Sequence, residues 1–229
     1  MEENKYPILL RACLAERFGR KILYNGGLIA EAGFIYILGE PDKEWLEKLR
    51  CQWSDRMFVC VSQKWEQALL EKYPGLICTI RFEMKALKSE HLPAITSYML
   101  PESFQLTPFG KHEFELHPFY HGSRYSNYEE FEKYGSGAVI WHEGKIVASA
   151  SSFLSYQKEV EVDVFTQKEY RRRGFAAACV AYMLADCQKK GITAHWDAQN
   201  IASRHLAEKL GYRLERDYKA YSFLAPEEP

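Results

Sequence analysis

One segment constrains the fold most, because it joins a strand pattern to a helix pattern through a basic turn. Residues 161–166 alternate acidic and apolar side chains, many of them β-branched or aromatic. This pattern predicts a strand with two carboxylates on one face. Residues 175–190 contain no glycine or proline and are followed by Gly191, which predicts a helix with a glycine just past its end. Residues 171–174, Arg-Arg-Arg-Gly, form the turn between them.

Such a turn can bind an anion. The N-terminus of a helix presents unpaired backbone N–H groups and a partial positive charge. Gly174 allows an anion to approach the main chain closely, and the three arginines before it add positive field. The segment therefore predicts a phosphate or pyrophosphate site. A solvated basic loop before an ordinary core helix is the alternative, because so short a glycine motif is not specific by itself.

Composition narrows the class of protein. Of the 229 residues, 47 % are hydrophobic and 27 % are charged, which is typical of a globular domain. The net charge of -1 argues against a nucleic-acid-binding protein. The first residues show no signal-peptide pattern, and the longest apolar run, residues 175–185, is shorter than the ~20 residues that a membrane span needs. We therefore expect a cytoplasmic protein without membrane or nucleic-acid partners.

The cysteines do not form a metal-binding pattern. None of the six lies in a C-x-x-C pair or at zinc-finger spacing. Cys179 and Cys187 lie on the apolar side of the predicted helix, so we expect buried free thiols, as in a reducing cytosol. No set of metal ligands is expected among the histidines either.

The first hundred residues predict a small α/β region of unknown role. Three short apolar runs predict buried strands, and two segments between them predict helices. The strands are residues 34–38, 57–61 and 76–80, and the helices are residues 42–49 and 62–73. Residues 83–91 are also expected to be helical. Pro101 marks the boundary, which gives domains at residues 1–100 and 101–229.

The sequence of the second domain predicts three consecutive strands, then a helix, a further strand and a second helix. Glu143-Gly144 is a turn signal between the first two of three consecutive strands. The strands are residues 137–141, 145–155, 161–166 and 193–196, and the helices are residues 175–190 and 200–210. Residues 212–214 and 218–223 are expected to form a last pair of strands.

This ordered set resembles the GNAT acyltransferase superfamily, in which [Q/R]-x-x-G-x-[G/A] follows the fourth strand. Here that motif falls on residues 171–176. Further positions resemble the subgroup that includes the zwittermicin resistance acetyltransferase. They are Leu100-Pro101, Phe104, Tyr128, Phe131, Gly135, Gly137, Trp196-Asp197, Asn200, Ser203 and residues 206–212.

The resemblance implies both fold and activity. It implies an α/β (α+β) protein: a C-terminal GNAT fold with a mixed, mostly antiparallel central sheet, beside the smaller N-terminal α/β region. It also implies an N-acetyltransferase without a metal. Such an enzyme transfers the acetyl group of acetyl-CoA to a primary amine, expected on a small molecule, by direct attack in a ternary complex.

The resemblance also assigns residues to the coenzyme. The pantetheine arm would lie along Val164, Phe165 and Thr166, and a backbone N–H near Phe165 would polarise the thioester carbonyl. The pyrophosphate would bind the basic turn and the start of the helix. The positions concerned are Arg171, Arg172, Arg173, Gly174, Phe175 and Ala176. Asn200 and Ser203 would lie beside the coenzyme, although Asn200 is equally well explained as a helix N-cap without a ligand.

Glu161 is the candidate general base, with Asp163 as the second choice. A primary ammonium has a pKa of ~10.4, so at neutral pH a group must take its proton before attack. Glu161 aligns with the strand-four glutamate that often has this role in the superfamily. Alternatively, one carboxylate pairs with an arginine or binds the charge of the acceptor.

One departure from the superfamily concerns the leaving thiolate. Many members have a tyrosine in the late helix that protonates it, but Ala207 occupies the matching position here. Tyr212 or Tyr221 could substitute, or the thiolate leaves unassisted. His195 and His205 are expected to be structural. The departure keeps a second class open, a non-catalytic sensor that binds acyl-CoA. Oligomeric state stays open, with a homodimer among the alternatives.

Overall fold

The structure, a computed structural model, describes residues 5–85, 98–116 and 124–224. The chain forms two compact units, the first from residues 1–81 with 217–229 and the second from residues 82–216. The boundaries of these units fall inside two long strands, β5 (Ile77–Lys85) and β11 (Arg213–Ser222). The division into domains at residue 100 remains a prediction.

The first unit is a small α/β structure built from short elements. They are α1 (Ile8–Leu14), β1 (Arg20–Tyr24), β2 (Gly27–Ala32), β3 (Phe34–Gly39), α2 (Lys43–Trp53), β4 (Phe58–Cys60) and α3 (Gln63–Lys72), together with parts of β5 and β11. The strand order in this unit is β1-β2-β3-β4-β11. β1, β2 and β3 pair antiparallel, and β4 pairs parallel to β3.

Helices α2 and α3 enclose the core of this unit against the sheet. Each begins with a side-chain cap: Asp42 accepts from the N–H of Trp45, and Ser62 accepts from the N–H of Trp65. Trp65 is fully buried, and its Nε1 donates to the hydroxyl of Tyr24 at 2.7 Å. The strands and helices predicted between residues 34 and 80 are confirmed.

The second unit is a mixed, mostly antiparallel sheet with helices, as the resemblance implied. Its elements after β5 are β6 (Gln105–Pro108), α4 (Lys111–Leu116), α5 (Tyr128–Tyr134), β7 (Gly137–His142), β8 (Lys145–Tyr156), β9 (Glu159–Thr166), α6 (Phe175–Lys190), β10 (Thr193–Ala198) and α7 (Ile201–Lys209). The strand order is β5-β10-β9-β8-β7-β6. Only the β9–β10 pair is parallel; β6 to β9 and the β5–β10 pair are antiparallel.

Helix α6 is the centre of the second unit's core. Nine of its 16 residues are buried, including Phe175, Val180 and Met183, and it packs against β7, β8 and β9. Full burial of one large apolar side chain contributes about 1.5–3 kcal/mol, so the helix is firmly held. It ends at Gly191, whose φ is 65°, and Ile192 N–H donates to Cys187 C=O at 2.8 Å to close the last turn. Both ends of the predicted helix are confirmed.

Two expectations are wrong. Residues 212–214 and 218–223 do not form a pair of strands, because β11 runs without interruption from Arg213 to Ser222. The intervening residues include no glycine or proline that would favour a tight turn. Residues 83–85 belong to strand β5 instead of a helix, and the rest of that expected helix lies outside the described residues.

All six cysteines lie in the described ranges and are free thiols. Cys179 and Cys187 are buried on α6, as predicted. Burial raises the pKa of Cys187 to about 12 and raises that of Cys179 further. Burial also raises the pKa of Cys60 to about 12 and raises that of Cys13. Because the thiolate is the reactive species, these four thiols should be inert in the folded protein.

We therefore predict that iodoacetamide at about pH 8 modifies only Cys51 and Cys78, the two exposed cysteines, in the native protein. Mass spectrometry of the intact chain would count the adducts, and peptide mapping would locate them. Unfolding in guanidinium should make all six cysteines reactive. Rapid native labelling of Cys179 or Cys187 would contradict the burial of α6.

Candidate active site

The turn between β9 and α6 leaves the start of the helix open. After a short 3₁₀ turn at Lys168–Tyr170, Arg172 and Gly174 adopt left-handed φ angles of 65° and 83°. Gly174 is the N-cap of α6, and no side chain caps the helix. A Cβ atom at Gly174 would have no neighbour within 4 Å. In the part of the chain that the structure describes, the first N–H groups of α6 are thus available to an anion.

The three arginines of this turn have different surroundings. Arg171 donates from Nε to the carbonyl of Thr166 at 3.2 Å. The guanidinium of Arg173 lies 4.8 to 5.8 Å from the centroids of three aromatic rings. These rings belong to Phe104, Tyr170 and Phe175. Arg172 is exposed and has no hydrogen bond or ion pair within the described ranges. Of the three side chains, that of Arg172 is therefore the one able to turn towards a bound anion.

Strand β9 pairs with β8 along its whole length but with β10 only at its start. The last residue pair between β9 and β10 is Glu161 with His195. The N–H of Gln167, just after β9, donates to β8, and successive residues of a strand direct their main-chain groups to opposite edges. Val164 and Thr166 therefore direct their N–H and C=O groups to the other edge of β9, beyond its last pair with β10.

The two candidate carboxylates lie on one face of β9, as predicted. Glu161 is 9 % exposed, and its Oε1 accepts from the backbone N–H of Asp197 on β10 at 2.9 Å. Asp163 is half-buried, and its Oδ1 accepts from the N–H of Val164 at 2.7 Å. Both side chains thus bind main-chain donors next to the open edge of β9.

Asn200 and Ser203 form the start of α7. The side chain of Asn200 accepts from the N–H of Ser203 at 2.8 Å, which confirms the N-cap. The hydroxyl of Ser203 accepts from Nε1 of Trp196 at 3.1 Å. Capping leaves the amide nitrogen of Asn200 for other partners, so a contact with coenzyme remains a prediction.

Neither tyrosine considered for protonating a thiolate has a free hydroxyl. Tyr212 is buried, donates to the carbonyl of Ala194 at 3.2 Å, and has its pKa raised well above the usual value by burial. Tyr221 belongs to the first unit, where its hydroxyl bonds to Glu66; burial and this carboxylate raise its pKa. Ala207 is fully buried.

His195 and His205 have different surroundings. Nε2 of His195 is buried 3.0 Å from Oε2 of Glu159 and makes no hydrogen bond among the described residues. His205 is exposed on α7. Across the described ranges, no three His, Cys, Asp or Glu side chains lie together as metal ligands would. Nor does any described helix combine the length and apolar character needed to cross a bilayer.

Two serines on β8 were missed by the sequence analysis. Ser149 and Ser151 are 1 % and 0 % exposed, and neither hydroxyl has a hydrogen-bond partner among the described residues. They pair across the strands with Phe165 and Asp163, so they share the face of the sheet that carries the carboxylates. The alternation of alanine and serine in residues 148–151 was the available signal.

Comparisons with known proteins identify the family. A model of the GNAT acetyltransferase family matches residues 3–221. The solved structure of a GCN5-related N-acetyltransferase-like protein from Streptococcus suis is 30 % identical with a TM-score of 0.82, and the match covers 94 % of this chain and 92 % of that one. A GCN5-related N-acetyltransferase from Kribbella flavida is 17 % identical with a TM-score of 0.63, covering 95 % and 96 %, which shows the fold alone.

A curated relative is similar over part of its length. The uncharacterized N-acetyltransferase YdfB of Bacillus subtilis (strain 168) is 28 % identical over 112 residues, or 48 % of this chain. The match covers only 43 % of that relative. Because the family model spans nearly the whole sequence and the Streptococcus suis structure matches over both chains, this protein belongs to the GNAT acetyltransferase family.

Proposed function

We propose that the protein is an N-acetyltransferase that transfers the acetyl group of acetyl-CoA to a primary amine of a small molecule. The observation that carries this proposal is the N-terminus of α6, which has no side-chain cap and is joined by the basic turn to β9, a strand with an open edge. An anion site and a strand edge that no neighbouring strand covers suit a ligand with a pyrophosphate at one end and an amide-containing arm. Family membership supports the same conclusion. The N-x-x-S pattern formed by Asn200 and Ser203 further suggests the zwittermicin resistance subgroup.

In this proposal the pyrophosphate binds the backbone N–H groups from Arg172 to Ala176. Helix dipole and unpaired donors both favour negative charge there. The side chain of Arg172 supplies a mobile charge, whereas Arg173 is held over its three rings. Arg171 stabilises the segment between β9 and the turn by donating to the carbonyl of Thr166.

The pantetheine arm would lie along the open edge of β9. Val164 and Thr166 direct main-chain groups to this edge, whereas those of Phe165 point to β8. We therefore assign polarisation of the thioester carbonyl to the N–H of Val164 or Thr166. In the structure the N–H of Val164 donates to the carboxylate of Asp163. The pantetheine arm therefore has to displace this carboxylate before it can bind the N–H of Val164.

Acyl transfer then needs a base for the acceptor. In the proposed reaction the amine nitrogen attacks the thioester carbon, the C–S bond breaks, and the proton of the amine passes to Glu161 directly or through water. The thiolate leaves without being protonated by a tyrosine. Ala207 occupies the position of the tyrosine that has this role in many family members, and the hydroxyl of Tyr212 donates to Ala194.

A second function is favoured by one specific observation. The missing thiolate acid, with Ala207 fully buried at its position, also fits a sensor that binds acyl-CoA and never turns it over. Turnover separates the two functions, because only the enzyme releases free coenzyme A in the presence of an amine.

We predict that coenzyme A stabilises the protein and that acetyl-CoA supports turnover. Ligand at 100 times Kd adds about 2.7 kcal/mol, which for a chain of this size raises Tm by roughly 5–10 °C. Turnover would be measured with a panel of small primary amines, by the mass gain of one acetyl group. Stabilisation without acetylation of any amine would favour the sensor, and no stabilisation at millimolar coenzyme would refute both.

Arg172→Gly should increase stability while weakening coenzyme binding. A non-glycine residue at a φ of 65° is strained by about 1 kcal/mol or more, and glycine relieves that strain, but the side chain that contacts the pyrophosphate is lost. Chemical denaturation and calorimetry with coenzyme A would measure the two effects. Glu143→Gly is a matched control, since Glu143 has a φ of 48° in the β7–β8 turn. It should gain stability with unchanged binding; equal binding by both variants would exclude Arg172 from the site.

Glu161→Gln should keep coenzyme binding but lower kcat by about 10²–10⁴-fold, the usual contribution of a general base. The deficit should shrink as pH rises from neutral, because the free-amine fraction of an acceptor with a pKa of ~10.4 increases about tenfold per pH unit. Steady-state rates of both proteins across this range would test it. Asp163→Asn is the comparison: a larger loss in that variant, with Glu161→Gln near parental activity, would transfer the base role to Asp163.

A further inference from the structure

We propose that Glu161 is also a positioning residue, which ends the pairing of β9 with β10 and so keeps the edge of β9 open for the pantetheine arm. The inference rests on the proposed function and deepens it. It gives Glu161 a role that precedes any proton transfer, since the arm cannot pair with an edge that β10 already occupies.

The direction of the main-chain groups shows which bond Glu161 replaces. The N–H of Thr193, the first residue of β10, donates to the carbonyl of Lys158 just before β9. In a parallel ladder the donors and acceptors recur every second residue. The donors on β10 that face β9 are therefore Thr193, His195 and Asp197. In a regular ladder the N–H of Asp197 would donate to the carbonyl of Val162 on β9.

The structure ends the ladder at this step. Residue pairing stops at Glu161 with His195, and the N–H of Asp197 donates to Oε1 of Glu161 at 2.9 Å. The side chain of the last paired residue thus takes the donor that would bind the next carbonyl of β9. Glu161 is 9 % exposed, so water is a poor substitute for its oxygen at this position.

The consequence for β9 follows from the same alternation. Val162, Val164 and Thr166 direct their main-chain groups to the edge that β10 would cover if the ladder continued. If the oxygen of Glu161 is removed, the N–H of Asp197 must find another acceptor, because a buried N–H is costly to leave unpaired. The regular acceptor is the carbonyl of Val162. Forming that bond would extend the β9–β10 pairing along the open edge of β9.

Two variants of Glu161 with similar size separate the acceptor from the charge. Glu161→Gln keeps an oxygen that can accept from Asp197 N–H, whereas Glu161→Met fills the same space without one. Calorimetry with coenzyme A is the measurement. We expect the Kd of Glu161→Gln to stay within about twofold of the parent and that of Glu161→Met to rise about tenfold, the effect of one hydrogen bond.

Glu159→Met is the matched control. Glu159 is a carboxylate on the same face of the same strand, two residues before Glu161, and it contacts His195 within the paired part of the ladder. Its loss should leave the Kd for coenzyme A unchanged. Parental affinity in Glu161→Met would overturn the inference, as would equal weakening in Glu161→Gln and Glu161→Met, because charge and not the acceptor would then be responsible.

A measurement on the parent protein keeps the inference testable if Glu161→Met does not fold. The amide of Asp197 lies beyond the last ladder pair, yet its bond to Glu161 should protect it from hydrogen exchange. Exchange at the rate of an exposed amide would overturn the inference. Failure of the proposed function is recognised separately, because the parent protein would then bind no coenzyme A at all.

Discussion

The separation of the parallel strands β9 and β10 after three residue pairs is the constraint on which the candidate site depends. A strand inside a continuous sheet has its main-chain groups hydrogen-bonded to neighbouring strands on both edges, so a ligand cannot pair with it. β9 is paired on one edge along its length and on the other only up to Glu161. The hydrogen bond from Asp197 to Glu161 lies at the point of separation, with the carboxylates and the edge donors beside it. Strand geometry therefore determines which edge of β9 is available in the candidate site.

The core of the second unit supports local features that are unfavourable by themselves. An uncapped helix start and an arginine in a left-handed conformation both cost free energy. The buried face of α6 offsets these costs, because Phe175, Val180 and Met183 pack into the core directly after the turn. Strain retained at an exposed turn without a compensating local contact is a recognised feature of ligand sites. The three rings around Arg173 hold its positive charge in place beside the turn.

Much of the fold could be predicted from local sequence patterns, and the failures have physical reasons. Periodicity and flanking glycines located β9 and α6, because these elements carry their own signals. The β1–β2 hairpin was missed although Asn25-Gly26 is a strong hairpin signal. The unbroken β11 was expected as two strands, whereas the structure continues one strand through the three consecutive charged residues 215–217.

The sequence could assign the candidate site to a strand and a turn, but it could not predict the contacts within it. The order of the motifs selected β9 and the turn after it as the candidate site, and the placement of Glu161 and Asp163 on one face of β9 follows from the period of a strand. The acceptor bond between Glu161 and Asp197, the rings around Arg173 and the unpartnered hydroxyl of Ser151 depend on contacts between distant segments. No local pattern encodes such contacts, so only the folded chain shows them.

The distribution of thiols has a consequence for the proposed reaction, whose co-product, coenzyme A, is itself a thiol. Free coenzyme A can form mixed disulfides with accessible protein thiolates under oxidising conditions. In the second unit the cysteines are Cys179 and Cys187, both buried and with raised pKa values. In the proposed reaction, adducts with coenzyme A would therefore be confined to Cys51 and Cys78 of the first unit. The helix that follows the basic turn would escape covalent inactivation by the released thiol.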